Sequence, residues 1–495
     1  MSRAFTRRDF VNRGSQFMGV SLLLPRAPAY GAEAQADTLL VNDIHSQLNA
    51  THVHAILKPA SVEQLAGMVA RATRGRGLSI AGKRHSMGGQ QFGADTDLLD
   101  MTDFNGILSF DKERGLLEVE SGATWPQLIE HCWQEQQNDP RPWAIAQKQT
   151  GADALTLGGS LASNVHGRGL AMRPLIQDIE SFNCITPGGA ELSCSRSSNP
   201  ELFRLAIGGY GLFGIVTSIK LRLVPRTRLK RSVRIMDVEE LMPGFADRIA
   251  QGCTYGDFQY MTDPASPAFL RKGVFSCYLP TGADAPGAGH RELSVDDWRK
   301  LYRLAFTDKA AAYQAYSQYY LGTSDQLYWS DTHQMSVYLE DYRAILDDLG
   351  LRDSSLMISE VYVPRKELVP FMDRARAAAI REGWDIIYGT IRLIEKDGES
   401  FLAWAKEDYA CIIFNLRVSH APDGIEKARR DFRSLIDAAL SCGGSYYLTY
   451  HRWARKDQVE ACYPQFAEFL NLKRKYDPDE IIQSDWYRFY KGLFG

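Results

Sequence analysis

Hydrophobic positions change period several times along the chain, and each change marks an element. In PASVEQLAGMVARATRG (59–75), Val62, Leu65, Val69 and Ala72 share one helical face. Ser61 and Gln64 form a capping box there, and Gly75 ends the helix. The short apolar run LSIA (78–81) reads as a strand. LLDMTDFNGILSFD (98–111) and GLLEVESGA (115–123) alternate as strand, turn and strand, and WPQLIEHCWQEQ (125–136) reads as a short helix with Pro126 in its first turn. NPELFRLAIG (199–208) predicts a helix with Asn199 as N-cap and Pro200 at its first position, and IVTSIKLRLV (215–224) predicts a strand.

Beyond Pro225 the texture changes. VDDWRKLYRLAFTDKAAAYQAYSQYY (295–320) is a long helical stretch rich in aromatics. SEVYVPRKEL (359–368), DIIYGTIRLIE (385–395) and YACIIFNLRVSH (409–420) predict strands. This second domain is expected to be a sheet with helices on one side. GADAPGAGHREL (282–293) reads as a mobile linker-like loop. A chain of 495 residues is too long for one ordinary core, which agrees with this division.

Composition removes some function classes. With 45% hydrophobic and 24% charged residues, the chain reads as a globular protein rather than a disordered one. Its net charge of −3 and lack of a basic tract make nucleic acid a poor partner. No run approaches about 18 apolar residues, so no membrane span is predicted.

The first 31 residues are expected to lie outside the fold. TRRDFV (6–11) places Arg7 and Arg8 before Asp9 and Phe10, the pattern of a twin-arginine export signal. An apolar stretch (17–25) and small residues at 27–32 follow, where a peptidase would cut. Cleavage near Gly31 removes five Arg and one Asp and takes the net charge from −3 to −7. The route predicts a periplasmic protein handled by the twin-arginine machinery, which moves folded chains with their cofactors in place. The eight cysteines show no CxxC pair, so no metal site is signalled. Isolated buried thiols are the expected state, with a cross-link between Cys184 and Cys194 across the turn at Pro187–Gly189 as the alternative.

Three glycine-rich segments carry the candidate chemistry. AGKRHSMGGQ (81–90) puts His85 on a turn at the end of the LSIA strand. LTLGGSLASNVHGRG (155–169) interleaves glycines with small side chains, so its backbone N–H groups are open to an anion such as a pyrophosphate. Gly209, Gly211 and Gly214 have GxGxxG spacing, but a helix precedes them and a strand follows. That order is the reverse of a dinucleotide fingerprint.

Together these segments, in this order and spacing, resemble the FAD domain of the vanillyl-alcohol oxidase family, nearest its aldonolactone and alditol oxidase and cytokinin dehydrogenase branches. The resemblance covers about residues 50 to 226, and KRKYDPDEIIQSDWYR (473–488) resembles the family's C-terminal return to the flavin. It implies an α+β, two-domain PCMH-type fold, with two α+β subdomains around FAD and an antiparallel-sheet cap. The expected divisions are a signal peptide (1–31), an FAD-binding domain (40–226), a cap (227–450) and a C-terminal return (451–495). Gly82, Lys83, Arg84, His85, Ser86, Gln90, Gly151, Thr156, Gly159, Ser163, Asn164, His166 and Ile215 are the expected cofactor-binding positions. His85 matches the residue that bonds the flavin 8α-methyl carbon in histidine-linked members. The alternative is a noncovalent loop in which His85 only packs. No cysteine precedes the GG pair in 144–159, which argues against a second, cysteinyl link.

The family chemistry passes a hydride from a substrate carbon to the flavin. YGTIRLIEKDGESFLAW (388–404) resembles the strand that carries an E-x-R pair, with Arg392 as the Arg and Thr390 in place of the Glu. GGSYYLTYHRWARKDQ (443–458) resembles the aldonolactone oxidase segment with H-W-x-K, with His451 as the His. Arg392 and His451 are therefore the catalytic candidates. The alternatives are a surface cross-strand pair for Arg392 and a structural histidine for His451. Asp153 is a further candidate, near the position of a cytokinin dehydrogenase aspartate. The reading that follows is an exported oxidase or dehydrogenase acting on a CH–OH group of a sugar-, lactone- or alcohol-type small molecule. Its electron acceptor would be oxygen or a periplasmic or quinone carrier. Amine oxidation of the cytokinin type and a non-catalytic electron-carrying subunit are the competing readings. Polar residues around Arg392 and His451 favour a sugar, whereas an apolar slot lined by Tyr328 and Trp329 favours an aromatic or lipid-like substrate.

Overall fold

The computed structural model describes residues 38–72, 76–282, 287–289, 291–336 and 342–495. The expected export signal, the Gly75 helix stop and part of the 282–293 loop lie outside the described residues. The first layer is a small parallel sheet of β1 (Ala55–Leu57), β2 (Leu78–Ala81) and β3 (Asp97–Asp100), in the order β1-β3-β2. Parallel strands need a crossover, and α1 (Val62–Ala72) supplies it between β1 and β2. Its apolar face (Leu65, Val69 and Ala72) packs with Leu78, Leu99 and Met101. The end of the chain completes this layer: Leu78 N donates to Ile481 O at 2.7 Å, and Gln483 N donates to Leu78 O at 2.7 Å.

The second layer is antiparallel. It contains β4 (Ile107–Asp111), β5 (Leu116–Glu120), α2 (Trp125–Glu135), β6 (Trp143–Ile145) and α3 (Leu157–Ser163). It continues with β7 (Ile179–Ile185), β8 (Glu191–Ser195), α4 (Pro200–Ala206) and β9 (Ile215–Pro225). The strand order is β8-β7-β9-β5-β4, with β6 paired to the end of β9. The helix-then-strand order around the GxGxxG-spaced glycines is thus observed. Asn199 does not cap α4 with its side chain: it sits at φ 47°, and its Nδ2 donates to Ser193 O at 2.8 Å. All eight cysteines are free and buried. Cys184 pairs with Leu192 and Cys194 with Phe182 across β7 and β8, so the two are diagonal neighbours on one face, and their free thiols hydrogen-bond to each other.

The third layer is an eight-stranded antiparallel sheet. Its members are β10 (Arg228–Asp237), β11 (Tyr255–Tyr260), β12 (Lys272–Thr281), β13 (Leu327–Trp329), β14 (Ser354–Pro364), β15 (Ile386–Ile394), β16 (Tyr409–Ser419) and β17 (Ser445–Tyr446), in the order β13-β10-β12-β11-β15-β16-β14-β17. Side chains alternate across a sheet, so register decides what each face carries. Gln259 pairs with Thr390, Thr390 and Glu360 each pair with Ile413, and Arg392 pairs with Cys411. Asp257, Gln259, Tyr388, Thr390, Arg392, Glu360 and Asn415 therefore share one face. The other face is apolar and lies against α5 (Leu368–Glu382) and α6 (Pro422–Leu440), where Phe371, Ala375, Phe432 and Leu435 join the main core.

Helices do not cover only one side, as the sequence suggested. The 295–320 stretch folds as two helices, Val295–Thr307 and Lys309–Leu321, and its side chains line a cavity over the polar face of the sheet. The break falls at Asp308, whose side chain accepts from Ala311 N at 2.9 Å and caps the second helix.

Candidate functional site

The loop after β2 builds the first half of the site. Arg84 takes a left-handed backbone at φ 58°, which turns the chain so that successive amides point the same way. Among the described residues, the N–H groups of Lys83, Arg84 and Ser86 meet no hydrogen-bond acceptor. A run of open amides is the donor set an anion needs. Gly82 brings this loop against the start of α3, where a Cβ would stand 2.3 Å from Thr156 Oγ1. Gly158 also packs closely on Ser121, where a Cβ would stand 2.9 Å from its carbonyl oxygen. Gln90 ties the loop to the chain's last segment, donating to Thr449 O at 2.7 Å.

These elements surround a cavity lined by Gly82, Lys83, Arg84, His85, Ser86, Gln90, Gly151, Thr156, Gly159 and Ser163. Three expected positions are not on it. Asn164 holds the end of α3, donating to Asp397 Oδ2 at 3.0 Å and accepting from Ile176 N at 2.9 Å. Ile215 is in the core with Leu65 and Leu99. His166 turns toward the cap sheet and meets Glu360. Sequence reasoning missed His45, Ser121, Gln149, Tyr210, Tyr447, Thr449 and Tyr450. Tyr447, Thr449 and Tyr450 lie in the quoted YYLTYH run, where the three tyrosines in the five residues before His451 were the available signal. The Ser121 hydroxyl and Gln91 Oε1 are buried without a partner among the described residues. Open amides, glycine close approaches and unsatisfied polar atoms together fit FAD.

His85 and His45 face each other on this cavity, with His45 Nε2 2.8 Å from His85 Nδ1. Burial, followed by the adjacent His45 and Lys83, pushes the His85 imidazole down to about 3. Burial likewise lowers His45. Both rings are therefore neutral near pH 7.

The second cavity, of about 450 Å³, lies over the polar face of the cap sheet. It meets the first at His45, Met87, Gly151 and Ile358, which line both. Arg392 is on its floor, 6% exposed, and its Nε has no partner among the described residues. Asp257 Oδ1, Gln259 Oε1 and Asn415 Oδ1 are acceptors in the same condition. Tyr328 contributes to the wall, whereas the Trp329 ring is covered by the guanidinium groups of Arg226 and Arg228 at 4.4 and 5.0 Å.

The structure does not bring His451 to Arg392. Neither cavity is lined by it. Its ring is boxed by Phe432 at 4.6 Å, Trp453 at 5.7 Å and Tyr446 at 6.0 Å, and burial, then Arg433, pushes its pKa down to about 3. Asp153 is also absent from both linings. Its carboxylate takes Lys148 Nζ at 2.6 Å and Ser336 N at 3.0 Å, a buried clasp between the two domains.

Glu360 takes the place near Arg392 that His451 was expected to fill. Its Oε1 lies 2.6 Å from His166 Nε2, and its Oε2 accepts from Tyr450 OH at 3.3 Å. Burial favours the neutral acid, but the His166 ring and the Arg392 guanidinium outweigh it and hold the carboxyl below its ordinary value. His166 Nδ1 lies 3.1 Å from Gly167 O, so both ring nitrogens face oxygen atoms. Cys411 completes a buried cluster within 4.8 Å, but the carboxylate oxygens are already hydrogen-bonded and the guanidinium acts on the same carboxyl. That arrangement suits proton storage better than a cation.

Comparison with known proteins agrees with this geometry. Residues 53–195 match the family model of the FAD binding domain. The chain carries a PCMH-type FAD-binding domain, its cofactor is FAD, and it is an FAD-linked oxidoreductase. It is similar to an L-gulono-1,4-lactone dehydrogenase of Mycobacterium tuberculosis, 24% identical over 445 residues that span 88% of this chain and 95% of the relative. Cytokinin dehydrogenase 2 of Arabidopsis thaliana is 27% identical over 172 residues, 34% of this chain and 33% of the relative. L-gulonolactone oxidase of Bos taurus is 26% identical over 191 residues, 37% of this chain and 40% of the relative.

Proposed function

We propose that the protein is an exported oxidoreductase that oxidises a CH–OH group of a sugar- or lactone-type substrate, in the manner of the aldonolactone branch of the vanillyl-alcohol oxidase family. The observation that carries this reading is the polar sheet face, on which the guanidinium groups of Arg231 and Arg392 and three acceptors unpartnered among the described residues line a cavity that opens onto the FAD cavity. Length of similarity supports it as well. The lactone dehydrogenase aligns over 88% of the chain, whereas the cytokinin dehydrogenase aligns over 34%.

FAD, when held by the 82–91 loop, Thr156 and Gly159, supplies the hydride acceptor. Asp257, Gln259 and Asn415 accept substrate hydroxyls and fix which carbon lies at the junction of the cavities. Arg392 places positive charge where the substrate oxygen gains negative charge as its proton leaves. Tyr450, on the FAD cavity and hydrogen-bonded to Glu360, gives that proton a route to the Glu360–His166 pair. Thr390 stands where the family pattern has a glutamate, and Glu360 lies in the same cross-strand row, two strands away through Ile413. The carboxylate thus comes from the next strand but one on the same face. Met87 and Ile358 at the junction keep it dry.

The test is anaerobic addition of an aldonolactone, sugar and alditol panel to purified holoenzyme, reading the flavin spectrum. Bleaching by at least one CH–OH compound is expected, and bleaching by amines alone would favour the cytokinin-type chemistry. Export is tested separately. Residues 1–35 fused to a reporter that functions only when exported folded should reach the periplasm, and replacing Arg7 and Arg8 with Lys should prevent it.

A further inference from the structure

The wall of the second cavity carries more positive charge than its own carboxylates cancel. Among the described residues, Arg168, Arg231, Arg291 and Arg392 line it, against the acids Asp257 and Glu292. Arg291 and Glu292 are exposed chain neighbours and offset each other. The Arg392 guanidinium and the Glu360 carboxylate act on each other. That leaves Arg168 and Arg231 with Asp257. Arg168 Nη1 donates to Asp257 Oδ2 at 3.3 Å, and the same carboxylate acts on Arg231. Arg231 is 5% exposed, and no carboxylate bonds it among the described residues. The histidines on the lining, His45 and His333, add no charge, because burial holds both imidazoles below their ordinary pKa, with Arg168 lowering His333 further.

One buried positive charge is therefore uncompensated. Taking an ion out of water is costly unless a counter-ion meets it. The Tyr320 and Tyr278 rings lie 4.3 and 5.4 Å from the Arg231 guanidinium, and ring faces attract a cation but cancel none of its charge. Ser276 Oγ accepts from Arg231 Nε at 3.3 Å and from Nη2 at 2.9 Å. That contact fixes the guanidinium plane and leaves Nη1 with no partner among the described residues. Arg168 Nε is also buried and unpartnered. Two held guanidinium groups with open N–H donors form a site for an anion. The charge count sets its kind. A carboxylate brings one negative charge and balances the wall, whereas a phosphate monoester, close to a dianion at pH 7, would leave it negative.

We infer that the substrate is a sugar acid, whose carboxylate binds Arg231 and Arg168 while its hydroxyls meet Asp257 Oδ1, Gln259 Oε1 and Asn415 Oδ1. β12 and β11 separate Arg231 on β10 from Arg392 on β15, so the carboxylate sits away from the reacting carbon. It takes no part in the two-electron step and leaves unchanged. The inference rests on the CH–OH oxidation proposed above and narrows its substrate class.

Matched series test this on the holoenzyme: a neutral sugar, its uronate, the uronate methyl ester and the sugar 6-phosphate, for glucose and for galactose. Glucitol and gluconate make an open-chain pair. Two measurements are made: anaerobic flavin reduction, and equilibrium binding read by tryptophan fluorescence. In at least one series the acid should bind about 10- to 100-fold more tightly than its uncharged counterparts, the size of a charge-assisted contact, and reduce the flavin. Arg231→Gln and Arg168→Gln should each lower that preference roughly 10-fold, and Arg231→Lys should keep part of it. The comparison of acid with ester needs only the unmodified protein, so it decides the matter even where a buried arginine variant fails to fold. Equal binding of charged and uncharged compounds in every series, or a preference unchanged in both glutamine variants, would overturn the inference. Tighter binding of the 6-phosphate than of the uronate would overturn the assignment to a carboxylate. If acids bind in an Arg231-dependent way but none reduces the flavin, the oxidation reading fails and the anion site stands.

Discussion

His45 Nε2 lies 2.8 Å from His85 Nδ1, and the pair joins the segment before the first subdomain to the loop that follows β2. With burial holding the His85 ring near a pKa of about 3, the imidazole is an unprotonated nucleophile at every pH the protein meets above about 4. Purified protein should therefore carry flavin that survives acid precipitation and fluoresces on a denaturing gel. His85→Ala should leave all flavin extractable. His45→Ala should lower the acid-stable fraction while total bound flavin falls less, because the lost partner orients the ring rather than cradling the cofactor. Acid-extractable flavin in the unmodified protein would dismiss the tether.

Arg392→Ala should slow flavin reduction by about 10²–10³, as expected for one buried electrostatic contact made mainly in the transition state. Its effect on flavin content should be small, because Arg392 lines the second cavity and not the first. Arg392→Lys should recover part of the rate, since charge is kept and the planar donor fork is lost. Stopped-flow reduction alongside flavin-to-protein absorbance ratios separates the two effects.

For His451 the prediction concerns stability. The ring fills an aromatic box and stays neutral, with its pKa at about 3. His451→Ala should cost about 2–4 kcal/mol of unfolding free energy through the cavity it leaves. His451→Phe should recover most of this, and the pH profile of flavin reduction should keep its shape in both variants. A flattened profile in His451→Phe would return the imidazole to the chemistry.

Asp178 sets a pH dependence of its own. Burial pushes its carboxyl up to about 7, only partly countered by hydrogen bonds from Gln147 and Gln177. The folded state thus holds a proton that the unfolded chain releases near its ordinary value of about 4. The associated stability is fully present below about pH 4 and is lost as pH rises through 7. Asp178→Asn keeps an acceptor for Gln147 but cannot ionise. Its Tm should match the unmodified protein at acid pH, exceed it increasingly between pH 5 and 7, and stay higher by a constant amount above that. Equal melting curves at pH 8 would show that Asp178 ionises without penalty.

Much of the first domain was legible because its signals are local. Glycines mark places where a side chain cannot fit, as at Gly82 against Thr156, and a reversed helix and strand order was enough to reject the dinucleotide reading. The misplaced residues share a different cause. Asn164 and His166 stand in a glycine-rich run that reads as cofactor loop, but their partners, Asp397 and Glu360, are about two hundred residues away. Asn199 has the residue type of a cap, and a neighbouring carbonyl captured its side chain instead.

Most strands and helices, the glycine-rich loops and an arginine on a cap strand were legible locally, because periodicity, capping and glycine placement depend on neighbours within a few positions. Long-range pairing set which titratable groups meet. Antiparallel register set Glu360, Thr390 and Arg392 on one face, packing turned His451 into a box of aromatic rings, and chain closure brought Tyr450 from the C-terminal segment to Glu360. The physical reason is that side-chain alternation reveals two faces of a strand without naming which one is buried against what. That choice belongs to pairings between residues far apart in the chain, whose energy no local pattern records.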